Sequence, residues 1–206
     1  MTHTHWREAI LAQPDAVLIL QDLQQALEAE KQQRAAYYAL VHEDVKAEFI
    51  NGEIVYQSPV KRRHWRVSMQ LSALLHTYAQ MHDLGEVGVE KVMVSLTRND
   101  YEPNICFFGK AKAAAFEPDQ MRFPAPDFVV EIISVSTEKR DREIKMQDYA
   151  AHGVHEYWII DPEQQTVEQY FNQEGVFVLR QKLAVSGRLF SSAVTGFSVE
   201  ITTLFA

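Results

Sequence analysis

The sequence predicts an α/β fold, with a mixed α+β sheet flanked by helices, and three segments carry that prediction. Residues 124–162 have the pattern of strand, helix and strand, because two short apolar runs, 128–133 and 157–160, enclose a helical stretch of about four turns. Two such strands joined by a helix are parallel and are linked by a right-handed crossover. The other segments are an Asn-Gly hairpin at 46–56 and an amphipathic helix at 62–82.

Glu131 places a carboxylate inside the first strand of this crossover. Parallel strands are usually covered on both faces, so a charged residue in the run 128–133 is expected to be buried. An unpaired buried charge is expensive, and it therefore shifts its pKa, finds a partner or binds a metal ion. Glu131 is for this reason the strongest functional candidate in the sequence.

Neighbouring strands offer the best partners for Glu131. Asp127 lies on the same strand, but about 13 Å away at ~3.3 Å per residue, too far for one metal ion to bridge both carboxylates. Asn104 precedes the short apolar run 105–108, which is a candidate buried strand. Glu48 lies in the hairpin, where the alternative is a solvent-facing sheet residue.

The crossover helix adds Lys145 to these candidates. Asp141, Lys145 and Tyr149 are four residues apart and share one helix face. Lys145 either forms an exposed pair with Asp141 or turns back over the sheet toward Glu131. In the second case the ammonium group could stabilise a transition-state anion or orient a water molecule.

The helix at residues 62–82 begins with a group of cations, which includes Lys61, Arg62 and Arg63. Cations at a helix N-terminus oppose the macrodipole, and a local phosphate or carboxylate would remove that conflict. A solvated basic helix end is the alternative. His64 is predicted to lean toward the core side, as a core, capping or catalytic histidine.

Composition restricts the classes of function. The chain has 206 residues and a formal net charge of -8, whereas a non-specific nucleic-acid coat protein is normally basic. The single cysteine, Cys106, excludes an internal disulfide and a multi-cysteine zinc site, and it is compatible with the cytoplasm. There is no signal-peptide pattern, no apolar stretch near the ~20 residues of a membrane span, and no dinucleotide, P-loop or serine-elbow motif.

The domain organisation is expected to be one continuous globular unit. It divides into an N-terminal helical extension, residues 1–44, and a main domain, residues 45–206. In the extension, a helix is predicted from Asp22 to Leu40 on composition, with Asp22 as the N-cap. Its candidate buried residues are Leu23, Leu27, Ala35 and Leu40.

Six ordered motifs extend these observations. They are EFINGE at 48–53, YEPNICFF at 101–108, PDFVVEIISVST at 126–137, DREIKMQDY at 141–149, GVHEYWIIDP at 153–162 and TVEQY at 166–170. Together they resemble the Uma2 family (DUF820) of the PD-(D/E)xK restriction-endonuclease-like superfamily. The resemblance spans roughly residues 45–200. It implies a restriction-endonuclease-like core and a magnesium-dependent DNA endonuclease that acts as a homodimer.

The resemblance also assigns roles to individual residues. The acidic residue of the D/E-x-K element falls on Glu131, its lysine position is occupied by Ile133, and the lysine falls on Lys145. The hairpin glutamate falls on Glu48. The aspartate of the Pro-Asp pair falls on Asn104, which keeps an oxygen ligand but loses the charge. Metal affinity should therefore fall, and the chain is expected to be a weak or inactive nuclease.

The implied reaction is metal-assisted hydrolysis of a phosphodiester bond. Mg²⁺ or Mn²⁺, weakly bound between Glu131 and Asn104, would activate water, with help from Lys145 and Glu48. Two other functions stay open, a non-catalytic nucleic-acid-binding module and a protein-interaction domain, and the acidic charge favours the last. The expected contacts to DNA phosphates are Lys61, Arg62, Arg63, His64, Lys139 and Arg140.

Overall fold

Two β-sheets with flanking helices form the framework of the protein, in a computed structural model that describes residues 3–41 and 45–206. The helices are α1 (His3–Leu11), α2 (Ala16–Leu40), α3 (Arg62–Met81), α4 (Lys110–Ala113), α5 (Glu138–Arg140), α6 (Met146–Ala151) and α7 (Ile201–Phe205), with a π-helical turn (Asp141–Lys145) between α5 and α6. The strands are β1 (Ala47–Ile50), β2 (Glu53–Tyr56), β3 (Gly85–Val89), β4 (Met93–Ser95), β5 (Asp100–Tyr101), β6 (Ile105–Gly109), β7 (Arg122–Phe123), β8 (Phe128–Ile132), β9 (Glu156–Asp161), β10 (Thr166–Gln173), β11 (Val176–Ala184), β12 (Arg188–Phe190) and β13 (Ser198–Glu200).

The larger sheet confirms the predicted crossover. Its six strands lie in the order β11-β10-β9-β8-β6-β3, with β8 and β9 parallel and the other neighbours antiparallel. The five-stranded sheet has the order β2-β1-β5-β4-β7, and β12 pairs with β13. The prediction of a mixed α+β sheet with flanking helices is therefore correct.

The register of the larger sheet brings two predicted site residues together. Ile105 of β6 lies opposite Val130 of β8 in an antiparallel pairing. One further step along that register brings Asn104 level with Glu131, because antiparallel strands run in opposite directions. Adjacent strands lie about 4.7–4.9 Å apart, so the sheet itself places these two side chains next to each other.

The two faces of β8 pack against different parts of the core. Phe128, Val130 and Ile132 lie in a cluster with the apolar residues of α3. Val129 and Ile133 lie in a second cluster, which also contains residues of α6 and β5. Glu131 lies two residues from each of Val129 and Ile133, so its side chain shares their face, which is covered by the crossover helix and the smaller sheet.

The hairpin is confirmed in turn type and position. Asn51 and Gly52 have φ angles of 50° and 87°, the positive values that a type I′ turn requires. The glutamates of its two arms have opposite environments, since Glu48 is fully buried whereas Glu53 is exposed. The solvent-facing alternative is therefore correct for Glu53 and wrong for Glu48, which points to the junction of the two sheets.

Helix α2 differs most from the prediction. It begins at Ala16 rather than Asp22, and Asp15 occupies the N-cap position. Tyr37 is its only buried residue. The predicted buried residues are wrong because only the C-terminal turns of α2 pack against the domain, as the ion pair between Arg34 and buried Asp100 shows. The side chains of Leu23, Leu27, Ala35 and Leu40 are all exposed.

Other differences concern boundaries. The segment at residues 85–96 forms β3 and β4, which belong to different sheets. The predicted division between residues 44 and 45 falls next to residues 42–44, which lie outside the described residues. Within the described part of the chain, no helix combines the length and the apolar composition that crossing a lipid bilayer requires.

Candidate active site at the junction of the two sheets

Lys145 lies at the centre of a buried group of charges. Its Nζ atom is 2.8 Å from Oε1 of Glu48, 3.1 Å from Oε1 of Glu131 and 3.2 Å from Oδ1 of Asp141. None of these four side chains is more than 4% exposed. The exposed Asp141–Lys145 pair is therefore the wrong alternative, because this helix face packs onto the sheet.

The four residues come from three separate parts of the fold. Glu131 is on β8 of the larger sheet and Glu48 is on β1 of the smaller sheet. Asp141 and Lys145 are the first and last residues of the π-helical turn. π-Helical turns are rare and often occur at functional sites. The charges therefore meet where the crossover helix covers the junction of the two sheets.

The group contains more acid than base. Burial alone would lower the pKa of Lys145, but the charges of Glu131, Glu48 and Asp141 outweigh it and raise that pKa, so the lysine stays cationic. Burial raises the pKa of Glu131 and of Asp141, although Lys145 opposes both shifts. One ammonium group offsets one of three carboxylates, so the remaining negative charge requires protons or a further cation.

The side-chain amide of Asn104 holds three elements together. Its Oδ1 atom accepts a hydrogen bond of 2.8 Å from the backbone N–H of Ile132, and its Nδ2 atom is 3.2 Å from Nε2 of His64 on α3. Burial lowers the pKa of His64, so a neutral imidazole accepts the amide hydrogen. An aspartate could not donate to that imidazole. The asparagine that departs from the family pattern thus has a structural partner here.

Glu102 is a site residue that the sequence analysis missed. It lies two positions before Asn104 and is 5% exposed, and its backbone N–H donates a 2.9 Å hydrogen bond to Oε1 of Glu48. Burial raises the pKa of Glu102 to about 7, although the charge of Lys46 opposes the shift. The Oε2 atoms of Glu102 and Glu48 are both buried, and neither has a hydrogen-bond partner among the described residues. The spacing Glu-x-Asn was the signal available in the sequence.

A cavity of about 540 Å³ opens onto this group. Glu102, Asn104, Glu131, Asp141 and Lys145 line it, whereas Glu48 lies behind them. The sheet junction therefore brings three predicted catalytic residues, Glu131, Asn104 and Lys145, to one cavity, and the fourth, Glu48, does not line it. Four of the predicted DNA contacts also line the cavity, namely Lys61, Arg63, His64 and Arg140.

The other predicted contacts lie elsewhere. Arg62 lines an adjoining cavity of about 400 Å³, together with Lys61, Arg63 and Arg66. Lys139 is exposed and lines neither of these two cavities. Asp127 is occupied elsewhere, as the distance argument implies, because its carboxylate accepts a hydrogen bond from the Gly109 backbone and pairs with Lys112.

The chemistry of the donors suits a hard divalent cation. No three His, Cys, Asp or Glu side chains are grouped to hold a metal ion anywhere in residues 3–41 and 45–206. Magnesium, however, is usually held by one or two carboxylates, with waters and substrate phosphates completing the shell. The unpartnered oxygens of Glu48 and Glu102 and the excess of negative charge fit such an ion.

Comparisons with known proteins agree with this geometry. The model of the Uma2 family, described as "Putative restriction endonuclease", matches residues 34–202. The solved structure of "a putative nuclease belonging to DUF820" from Anabaena variabilis is similar, with a TM-score of 0.68, 18% identity, and coverage of 82% of this chain and 94% of that chain. The comparison with curated proteins gave no match. The structural similarity confirms the fold, and because the family match covers most of the chain, the protein belongs to the Uma2 family.

Proposed function

We propose that this protein is a metal-dependent nuclease that hydrolyses phosphodiester bonds of DNA in the cavity beside Glu131. The observation that carries the proposal is the buried ammonium group of Lys145, held between Glu131 and Glu48 at the base of an open cavity. Its cost of burial is large, and structural stability alone is often better served by apolar residues. Membership of a family described as restriction endonucleases supports the same function.

Each residue of the cavity has a separate role in the proposed reaction. Lys145 keeps its proton, so it stabilises negative charge on the phosphate or orients the attacking water. Glu131 and Asn104 would hold Mg²⁺ or Mn²⁺, since the amide oxygen of Asn104 has a second lone pair beyond the one used by Ile132. Glu48 fixes Lys145 from behind. When bound, the cation would polarise the phosphate and lower the pKa of a bound water.

Cations around the cavity provide the DNA-binding surface in this proposal. Lys61, Arg63 and Arg140 line the same cavity as Glu131, together with the neutral imidazole of His64, so positive groups surround the acidic centre although the whole chain is acidic. Contacts to phosphates position a duplex without reading its sequence. Arg62 and Lys139, which lie outside the cavity, would contact the flanking phosphates.

Nicking of supercoiled plasmid tests the proposal. We expect cleavage with Mg²⁺ or Mn²⁺ and none with a chelator, because the acidic centre requires a cation before a phosphate can approach. The double substitution Lys61→Gln and Arg63→Gln should weaken duplex binding about tenfold in filter-binding assays. The plot of log affinity against log salt concentration should become less steep by about two, because two phosphate contacts are lost.

The matched control removes two cations far from the cavity, by Lys31→Gln and Arg180→Gln, and should leave binding and nicking unchanged. Salt-dependent binding without nicking in either metal would contradict the nuclease and favour the non-catalytic nucleic-acid-binding module. Absence of both would favour the protein-interaction domain.

We also propose that the N-terminal arm, residues 3–27, pairs with a second copy of the chain in a homodimer. Its side chains Leu20, Leu23 and Leu27 have the spacing of a heptad seam. Pairing would cover these apolar side chains, and a standard interface buries about 800 Å² per partner. The family match begins at residue 34, so the arm is additional to it. Exposures of 45% to 67% are found for Trp6, Leu11, Val17, Leu18, Leu20, Leu23 and Leu27.

Sedimentation velocity tests the homodimer. The wild-type chain is expected to sediment as a dimer, and the substitutions Leu20→Lys and Leu23→Lys should convert it to a folded monomer, because they place charges in the seam. Gln21→Lys and Gln25→Lys add the same charge at exposed positions away from the seam and should leave the dimer intact. A monomeric wild-type chain at micromolar concentration would refute this interface.

A further inference from the structure

The asparagine at position 104 leaves the proposed metal site short of one negative charge. Magnesium sites in proteins usually include one or two carboxylates, and Glu131 is the only carboxylate among the two ligands that the family resemblance implies. The amide oxygen of Asn104 has a lone pair left beyond its bond with the Ile132 backbone, but it carries no charge, and its Nδ2 atom contacts His64. A second carboxylate ligand would therefore come from elsewhere in the cavity.

Glu102 has the position and the free oxygen for this role. It lines the same cavity as Glu131 and Asn104, and only 5% of its surface is exposed. Within residues 3–41 and 45–206 its Oε2 atom has no hydrogen-bond partner, which is costly for a buried carboxylate. The backbone of Glu102 holds Oε1 of Glu48, which in turn holds Lys145, so the residue is fixed within the charged group.

An alternative explanation is that Glu102 is a structural carboxylate, like Glu156. Glu156 is also fully buried, but it accepts hydrogen bonds from Trp158, Gln169 and the segment 191–193. Glu156 lines neither of the two cavities described above, whereas Glu102 lines the larger one with one oxygen unsatisfied. Glu156 is therefore a structural carboxylate whose hydrogen bonds connect parts of the fold, whereas the carboxylate of Glu102 is available to a ligand.

We propose that Glu102 is the second carboxylate ligand of the divalent cation and replaces the charge that Asn104 lacks. This inference rests on the proposed function, because it concerns the cation of the same cavity. It also changes the metal affinity expected of a chain with asparagine at position 104. The asparagine connects α3, β6 and β8, and the negative charge that binds the metal ion lies two residues earlier, on Glu102. The chain is then a competent metal binder rather than a vestigial one.

Calorimetric titration with MnCl₂, in the absence of DNA, tests this assignment. The wild-type chain is expected to bind Mn²⁺, and Glu102→Gln, which keeps the shape of the side chain, should weaken binding at least tenfold. Glu102→Asp should retain part of the affinity. Glu53→Gln removes an exposed glutamate of the nearby hairpin and should bind as the wild type does. Thermal unfolding without metal verifies that each variant is folded.

The outcomes separate the two proposals. Wild-type affinity in Glu102→Gln, or a wild-type chain that binds no Mn²⁺, would overturn the role of Glu102. Metal binding that depends on Glu102 in a chain that cuts no DNA would overturn the nuclease and leave the ligand assignment intact. Asn104→Asp gives a further check, since a gain above tenfold in Mn²⁺ affinity would show that position 104, and not Glu102, limits the site.

Discussion

Lys145→Met is expected to abolish plasmid nicking and to lower the free energy of unfolding by about 3–5 kcal/mol at pH 8. The substitution preserves most of the side-chain volume but removes the ammonium group that lies within 3.2 Å of three buried carboxylates. Each carboxylate then loses its buried cation. The loss of activity has a separate cause, because no positive group would remain beside Glu131 to stabilise charge on the phosphate.

The pH dependence of this destabilisation identifies its origin. Burial already raises the pKa of Glu131 and Asp141 in the folded chain, and loss of Lys145 raises both further. A carboxyl group with a raised folded pKa contributes stability below its unfolded value, about 4, and this contribution is lost as the pH rises through the folded value. Urea titrations of Lys145→Met should therefore show a much smaller loss at pH 5 than at pH 8.

Lys139→Met provides the matched control, because Lys139 lies on the same helical segment but is exposed. It should change the free energy of unfolding by less than about 0.5 kcal/mol at either pH. Equal destabilisation of Lys145→Met at pH 5 and pH 8 would show that packing, and not charge, explains the loss. Residual nicking at the wild-type rate would remove Lys145 from the proposed mechanism.

The parts of the fold that were predicted correctly depend on local sequence. The Asn-Gly turn needs two positive φ angles at adjacent residues, and the strands β8 and β9 are short apolar runs on either side of a helix. Each of these two signals is contained in a segment of about 35 residues or fewer. The helix α3 follows from apolar residues at three and four residue spacing in the same way. Such features require no knowledge of how distant segments meet.

The composition of the candidate site depends on distant segments, and sequence reasoning reached only part of it. Glu48 and Glu131 are 83 residues apart in sequence and belong to different sheets, so the family resemblance, and not periodicity, selected Glu48. Glu102 was missed because its burial comes from the approach of the smaller sheet. The π-helical turn also has no signature in the sequence, although it carries Asp141 and Lys145.

The error in α2 has a different physical reason. An apolar stripe shows that a helix can pack, but it does not identify the partner. Arg34 binds Asp100 and the carbonyl groups around it, which holds only the C-terminal part of α2 on the domain. The leucines nearer the N-terminus, including Leu23 and Leu27, therefore stay exposed.

Glu131→Gln is expected to reduce nicking at least about 100-fold while raising the stability of the metal-free protein at pH 8 by about 1–2 kcal/mol. Glutamine preserves the shape of the side chain but removes a charge from a group with excess acid. Lys145 keeps two carboxylate partners, Glu48 and Asp141, so its ammonium group stays paired. Activity and stability should therefore change in opposite directions, as they do where a fold retains a costly group for its chemistry.

The sign of the pH effect distinguishes this explanation from general stabilisation. Since the folded pKa of Glu131 is raised, the wild-type chain loses that stability as the pH rises above about 4, and the glutamine variant does not. The gain should therefore be small near pH 5 and much larger at pH 8. Glu143→Gln, an exposed change in the same π-helical turn, should alter neither nicking nor stability. If Glu131→Gln is less stable than the wild type at pH 8, Glu131 is a structural partner of Lys145. The main argument for catalysis in this cavity would then fail.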